Sequence, residues 1–231
     1  MLKLGNSSKM KKLADMLAIR KNQVASFDLP CGYTCPMADK CKSMADRKTG
    51  IITDGSNCVF RCYGASLESA FTNTRTLHWN NFDLLRNSNN IGDMVDMILS
   101  AINDKIKVLR IHSFGDFFNS NYFQAWLNVT EKLPDINFVA YTKVLPYLKI
   151  DRPKNFSMVY SYGGLLDKNL TDEPTCYVIK SENEAKKLGV EISCKIDNPA
   201  NDYNFIRSQL SFAILIHGTQ PKSAKLKTSL P

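Results

Sequence analysis

Apolar and polar positions follow two rhythms along this chain. In the first hundred residues the period is mostly helical. Met10–Arg20 places Leu13, Met16, Leu17 and Ile19 on or near one face, Ser66–Arg86 continues in the same period, and Asp93–Asn103 is clearer still, with Met94, Val95, Met97, Ile98, Ala101 and Ile102. Val24–Leu29 is a short apolar run that ends at Pro30, as a strand would. Cys31–Tyr63 has neither period and is rich in turn formers, which predicts a long loop wrapped around something.

After Asn103 the rhythm changes. Short runs of apolar and β-branched residues recur at Lys107–Ile111, Asn137–Tyr141, Ser157–Tyr160, Cys176–Ile179, Val190–Ser193 and Phe212–Ile216. Helical patterns lie between several of them, at Asn121–Lys132, Glu182–Leu188 and Tyr203–Leu210. Strands that are continuously apolar and alternate with helices predict an α/β fold whose parallel sheet is covered on both faces. The arrangement expected is a partial or distorted (β/α) barrel, with an open doubly wound sheet as the alternative. The alternation runs through most of the chain, so 1–231 reads as one domain, with a cysteine loop at 31–63 and a basic tail at 218–231.

Composition adds limits. Hydrophobic residues make up 44% and charged residues 23% of the 231, an ordinary globular mix that argues against wholesale disorder. The longest apolar run, Phe212–Ile216, falls far short of the roughly 20 residues of a membrane helix. Met1–Lys12 carries lysines with no apolar block and cleavage site after them, so the expected setting is the cytoplasm and no membrane partner is expected. The net charge of +8 favours a polyanionic partner, nucleic acid or a phosphorylated small molecule, although much of it sits at the two ends, where solvated charge is the plainer reading.

The cysteines change the picture most. Five of the seven, Cys31, Cys35, Cys41, Cys58 and Cys62, fall in the aperiodic stretch. A reducing compartment disfavours disulfides and favours metal or redox chemistry. Sulfur ligands without a nearby histidine suit zinc or an iron–sulfur cluster. Cys58-x3-Cys62 has zinc-knuckle spacing, whereas the x5 gap before Cys41 suits cluster-binding loops better. Gly32 and its neighbours Pro36, Ala38 and Gly64 allow backbone close to a cluster. The plain alternative is that the cysteines are small buried hydrophobes.

One set of motifs spans nearly the whole chain: Leu29-Pro30-Cys31-Gly32-Tyr33-Thr34-Cys35-Pro36-Met37-Ala38, Phe60-Arg61-Cys62-Tyr63-Gly64-Ala65-Ser66, Trp79-Asn80-Asn81-Phe82-Asp83, Arg110-Ile111-His112-Ser113-Phe114-Gly115-Asp116, Ala140-Tyr141-Thr142-Lys143 and Ile216-His217-Gly218-Thr219-Gln220-Pro221. This set resembles a phage and plasmid family known only as gene product eighty-eight. That family in turn resembles radical-SAM-type barrels, which implies a 4Fe–4S cluster at the carboxyl edge of the strands. Cys35, Cys41 and Cys62 fall on the family's cysteine positions, while Cys31 and Cys58 depart from its commonest pattern. Three thiolates would leave one iron open to S-adenosylmethionine or to a fourth protein ligand, for which Cys194 comes first, with Cys31 and His112 behind it.

Residues at the predicted strand ends complete the candidate site, because ligands of parallel α/β folds bind there. His112 and Asp116 follow one strand, as a catalytic pair or as a structural histidine and a helix cap. Tyr141 and Lys143 end the next, where they could hold an anion, and His217 precedes Gly218. No phosphate loop, zinc-protease motif or serine triad appears. The expected function is a phage-type iron–sulfur protein doing redox or radical chemistry, or electron transfer. The alternative is a zinc- or cluster-stabilised module that binds nucleic acid.

Overall fold

A computed structural model of the protein describes residues 1–193, 201–216 and 219–221. The chain opens with α1 (Ser8–Met16), capped by the Ser7 hydroxyl on the Met10 amide, and enters β1 (Val24–Phe27). A small antiparallel pair follows, β2 (Ser43–Ala45) against β3 (Ile52–Asp54). Three helices come next, α2 (Tyr63–Ala70), α3 (Thr72–Arg86) and α4 (Ile91–Ala101). The rest alternates: β4 (Val108–Ile111), α5 (Ser120–Lys132), β5 (Asn137–Thr142), α6 (Leu145–Leu148), β6 (Phe156–Ser161), β7 (Thr175–Ile179), α7 (Glu182–Leu188), β8 (Glu191–Ile192), α8 (Asp202–Arg207) and β9 (Phe212–Leu215).

Seven strands form one sheet in the order β1-β4-β5-β6-β7-β9-β8, and every pairing is parallel. The order advances one way through the first five strands and reverses only at β8 and β9. Such an advance, with crossovers of one hand, stacks the connecting helices on one face. On that face α4 and α5 bring Met94, Ile98, Phe123 and Trp126 onto Phe27, Leu109, Ile111 and Phe138 in the main core. The other face is covered differently. Met10, Leu13 and Ala14 of α1 pack on Val24 and Val108, and Ile206 of α8 packs on Val139, Val159 and Phe212. Both faces are therefore covered, which is why apolar residues dominate the strands on both sides.

The α/β class and the parallel sheet agree with expectation, and among the described residues the sheet does not close into a barrel. Among the described residues β1 and β8 stand at opposite edges of an open sheet. Gly5 blunts the β1 edge by exchanging two backbone hydrogen bonds with Ser26, at 2.7 and 2.9 Å. Two local expectations also need correction. The cysteine segment is not a structureless loop, since it contains β2 and β3. The single helix expected over Ser66–Arg86 is two, parted at Phe71, whose backbone is extended (φ −122°, ψ 100°).

Candidate functional site

Three sets of contacts fold the cysteine segment over the carboxyl ends of β1, β4, β5 and β6. The Leu29 amide donates to the Phe114 carbonyl beyond β4, so the chain reaches Cys31 tied to that strand end. The amides of Asp39 and Lys40 donate to the Gly163 carbonyl beyond β6, and the Leu165 amide returns to Met37. Asp167 secures that landing by accepting from the amides of Gly163 and Gly164 and pairing with Lys40 at 3.5 Å. Finally, Cys62 caps the start of α2, with its own amide on the Ser43 hydroxyl.

These anchors gather four thiols. Cys31 and Cys62, remote in sequence, bring their Sγ atoms to 3.9 Å. Cys35 and Cys41 lie near enough to feel the charge of Cys62, as Cys58 does from the margin of the group. Burial raises the Cys35 thiol well above its ordinary value, and the Asp116 carboxylate adds to this. Burial also raises Cys41, to about 11, against the pull of the Lys143 ammonium that hydrogen-bonds it. In the Cys31–Cys62 pair the two thiols share a hydrogen bond, and Cys31 is pushed up by it and by burial. Cys62 is lowered by the hydrogen bond from Cys31 and by the amides of Gly64 and Ala65 at the start of α2. Among the described residues, no three His, Cys, Asp or Glu side chains meet at the spacing of a single ion's ligands.

Polar side chains that the strand ends present surround the thiols. Asp116, buried, accepts from the Phe117 and Lys143 amides and the Thr142 hydroxyl at 2.7–2.8 Å, and burial raises its carboxyl to about 6. Lys143, also buried, sends its ammonium to the Ser161 carbonyl and hydroxyl and the Tyr162 carbonyl, at 2.7, 2.9 and 3.0 Å. Asp28 accepts from the amides of Ser113 and Phe114, which fixes the turn after β4. Gly32 takes a positive φ of 74° between the first two cysteines, where a Cβ would strike Ser43 and Met44.

The other sequence candidates lie elsewhere. His112 has a positive φ of 65°, and its ring is buried against Phe117 and Tyr122, with Nε2 on the Tyr122 hydroxyl at 2.9 Å. Asp116 neither orients His112 nor caps α5, whose cap is Asn119. Tyr141 points to the face under α8, where its hydroxyl donates to Asp202. The same carboxylate oxygen accepts from Lys9 and Arg110 at 2.7 and 2.8 Å. Cys58 sits at the margin, half-buried, on the Ser43 hydroxyl and the Phe60 carbonyl. Cys194 and His217 lie outside the described residues.

Two residues that the sequence did not mark stand behind the thiols. Glu68, fully buried in α2, accepts from the Cys31 amide through both oxygens, at 3.2 and 3.3 Å, and meets His78 Nδ1 of α3 at 2.6 Å. Nothing in the local pattern distinguishes this glutamate from a solvated one.

Fold and site together define a class: a parallel α/β protein with a cysteine-rich segment folded over the carboxyl edge of its sheet. The model of the Gene product 88 family matches residues 1–229, so the chain belongs to that family. The Gene 88 proteins of Mycobacterium phages D29 and L5 are each 30% identical to it over 116 residues, 45% of this chain and 48% of theirs. The alignment thus spans about half the length of these relatives. No solved structure matches. Among the described residues no helix is long and apolar enough to cross a membrane.

Proposed function

We propose that this protein holds a 4Fe–4S cluster on Cys31, Cys35, Cys41 and Cys62 and uses it for redox chemistry or electron transfer. The observation that carries the reading is that the cysteine segment, anchored at the carboxyl ends of the strands, folds back so that Cys62 meets Cys31, 31 positions away in sequence. Four Cys thiolates are the ordinary ligand set of such a cluster. When bound, the cluster would supply one-electron chemistry.

The residues present fit that group. Cys62 lies at a helix start whose amides already favour its thiolate. The Lys143 ammonium beside Cys41 offsets negative charge. Gly64 leaves room where a Cβ would come within 2.3 Å of Cys31 Sγ. With Cys31 counted, the protein supplies all four ligands and leaves no iron open to S-adenosylmethionine. Radical chemistry of that kind would need one thiol withdrawn, so electron transfer or direct redox chemistry is the first reading.

The test is anaerobic purification after expression with iron and sulfide, followed by metal and sulfide analysis and EPR of the reduced protein. About four irons per chain, with a signal indifferent to S-adenosylmethionine, is the expected outcome. A colourless protein without stoichiometric iron overturns the proposal. A signal that changes on adding S-adenosylmethionine keeps the cluster and removes Cys31 from its ligands.

A further inference from the structure

Glu68 is a buried acid without a buried cation of the usual kind. It is 0% exposed, and its carboxylate oxygens meet two groups: His78 Nδ1 at 2.6 Å and the backbone amide of Cys31 at 3.2 and 3.3 Å. Burying a carboxylate is costly unless its acceptor sites are filled, and a backbone carbonyl could have taken a single amide at far lower cost. What the carboxylate adds is reach. It extends from α2 across 37 positions to Cys31, and α2 is the helix that Cys62 caps. The same helix presents Gly64 to the Cys31 sulfur, where a Cβ would come within 2.3 Å. One rigid element therefore holds the first and last of the four cysteines.

The support for Glu68 is equally fixed. His78 is 2% exposed, and its ring packs 4.7 Å from Phe114, which itself packs on Cys31 and Ala65. Arg75, buried in the first half of α3, donates to the Glu68 carbonyl and so ties the two helices beside the break at Phe71. The break gives this arrangement its geometry, because in a continuous helix positions 68 and 78 would lie about 15 Å apart along the axis.

We infer that Glu68, held by His78, is a positioning residue that sets Cys31 against Cys62 as a cluster ligand and places a carboxylate next to that ligand's backbone. This inference rests on the cluster-binding reading above. A hydrogen-bond acceptor and a negative charge at that place tune the reduction potential, which in such clusters follows net charge and surrounding hydrogen bonds.

Full-length wild type, Glu68→Gln, His78→Asn and His78→Phe would be purified anaerobically, with iron content, reduced-state EPR and midpoint potential measured on each. Wild type without iron defeats the cluster reading itself. Given iron in the wild type, Glu68→Gln should shift the EPR signal and raise the potential at comparable iron content. His78→Asn, whose amide can replace the Nδ1 donor, should stay close to wild type. A Glu68→Gln protein that loses only thermal stability, with EPR and potential unchanged, overturns the inference. If Glu68→Gln fails to fold, His78→Phe decides: it keeps a ring against Phe114 and leaves Glu68 unsupported, so its signal must shift, and an unchanged signal overturns the inference equally.

Discussion

His112 follows β4 in the position of a catalytic histidine, yet the structure makes it a packing residue, and its titration separates the two roles. Its ring is 3% exposed, Nδ1 has no partner among the described residues, and burial alone pushes its pKa from 6.5 to about 3. The neutral ring is thus favoured in the folded chain. Above pH 6.5 this contribution is fully present, and as pH falls the unfolded chain takes up the proton first, so stability is lost down to about pH 3. At about 1.4 kcal/mol per pH unit the full loss is about 5 kcal/mol, of which about 3 kcal/mol is gone by pH 4. Asp116 acts in the opposite sense. Its carboxyl is raised from 3.8 to about 6, so the folded chain holds that proton more tightly and gains about 3 kcal/mol as pH falls between those values. Between pH 6 and 4 the contributions of these two groups therefore largely offset each other. His112→Asn, a residue that tolerates the positive φ, should be less stable at pH 7 by about 2–4 kcal/mol through lost packing and the lost Tyr122 hydrogen bond. Its deficit should then shrink by about 3 kcal/mol at pH 4. Urea unfolding of both proteins at constant ionic strength reads the difference, in which Asp116 and any bound group cancel. A deficit independent of pH from 7 to 4 would refute the reasoning.

Other outcomes follow from the same geometry. Cys31→Ser and Cys62→Ser should each lose most of the iron, while Cys58→Ser, altered at the margin of the group, should keep it; iron and sulfide analysis decides, and equal loss in all three would move Cys58 into the ligand set. Gly64→Ala should lose iron although the change is one methyl, because the new Cβ would lie 2.3 Å from Cys31 Sγ and 2.6 Å from the Phe114 ring; wild-type iron content would contradict the close approach. Asp202→Asn strips the shared carboxylate from Lys9, Arg110 and Tyr141, and should cost about 3–5 kcal/mol in urea unfolding at pH 7. Because the Asp202 carboxyl is lowered to about 2 by Lys9 and Arg110 despite its burial, that cost should persist down to about pH 4 and fade as pH drops towards 2.

The sheet was legible because its strands are buried on both faces, and Val108–Ile111, Phe138–Ala140 and Phe156–Tyr160 show as apolar runs interrupted only by Arg110 and Ser157. Its openness was not legible. Whether β1 meets the last strand depends on how far the sheet curls, and no residue of Val24–Phe27 encodes that. The break between α2 and α3 was also hidden, since Phe71 is neither glycine nor proline and the polar period runs across it. Helix ends were clearer where chemistry marks them, as at Gly189, which closes α7 in the left-handed region with φ +67°.

At the site, residue type identified the thiols but could not rank them. Cys31 is brought to Cys62 by Glu68 and Gly64, neither of them marked by local pattern. Lys143 and Asp116 were visible because they follow strands, and they do stand beside Cys41 and Cys35. Tyr141 and His112 were visible for the same reason and are placed elsewhere. Tyr141 and Lys143 are two positions apart and would share a face on a continuing strand, but β5 ends at Thr142, so Lys143 lies beyond it and is free of the alternation. Strand-end position therefore nominates a site residue, and only the side chain's tertiary partners assign it: Asp202 claims Tyr141, Tyr122 claims His112, and the carbonyls beyond β6 hold Lys143 at the cysteines.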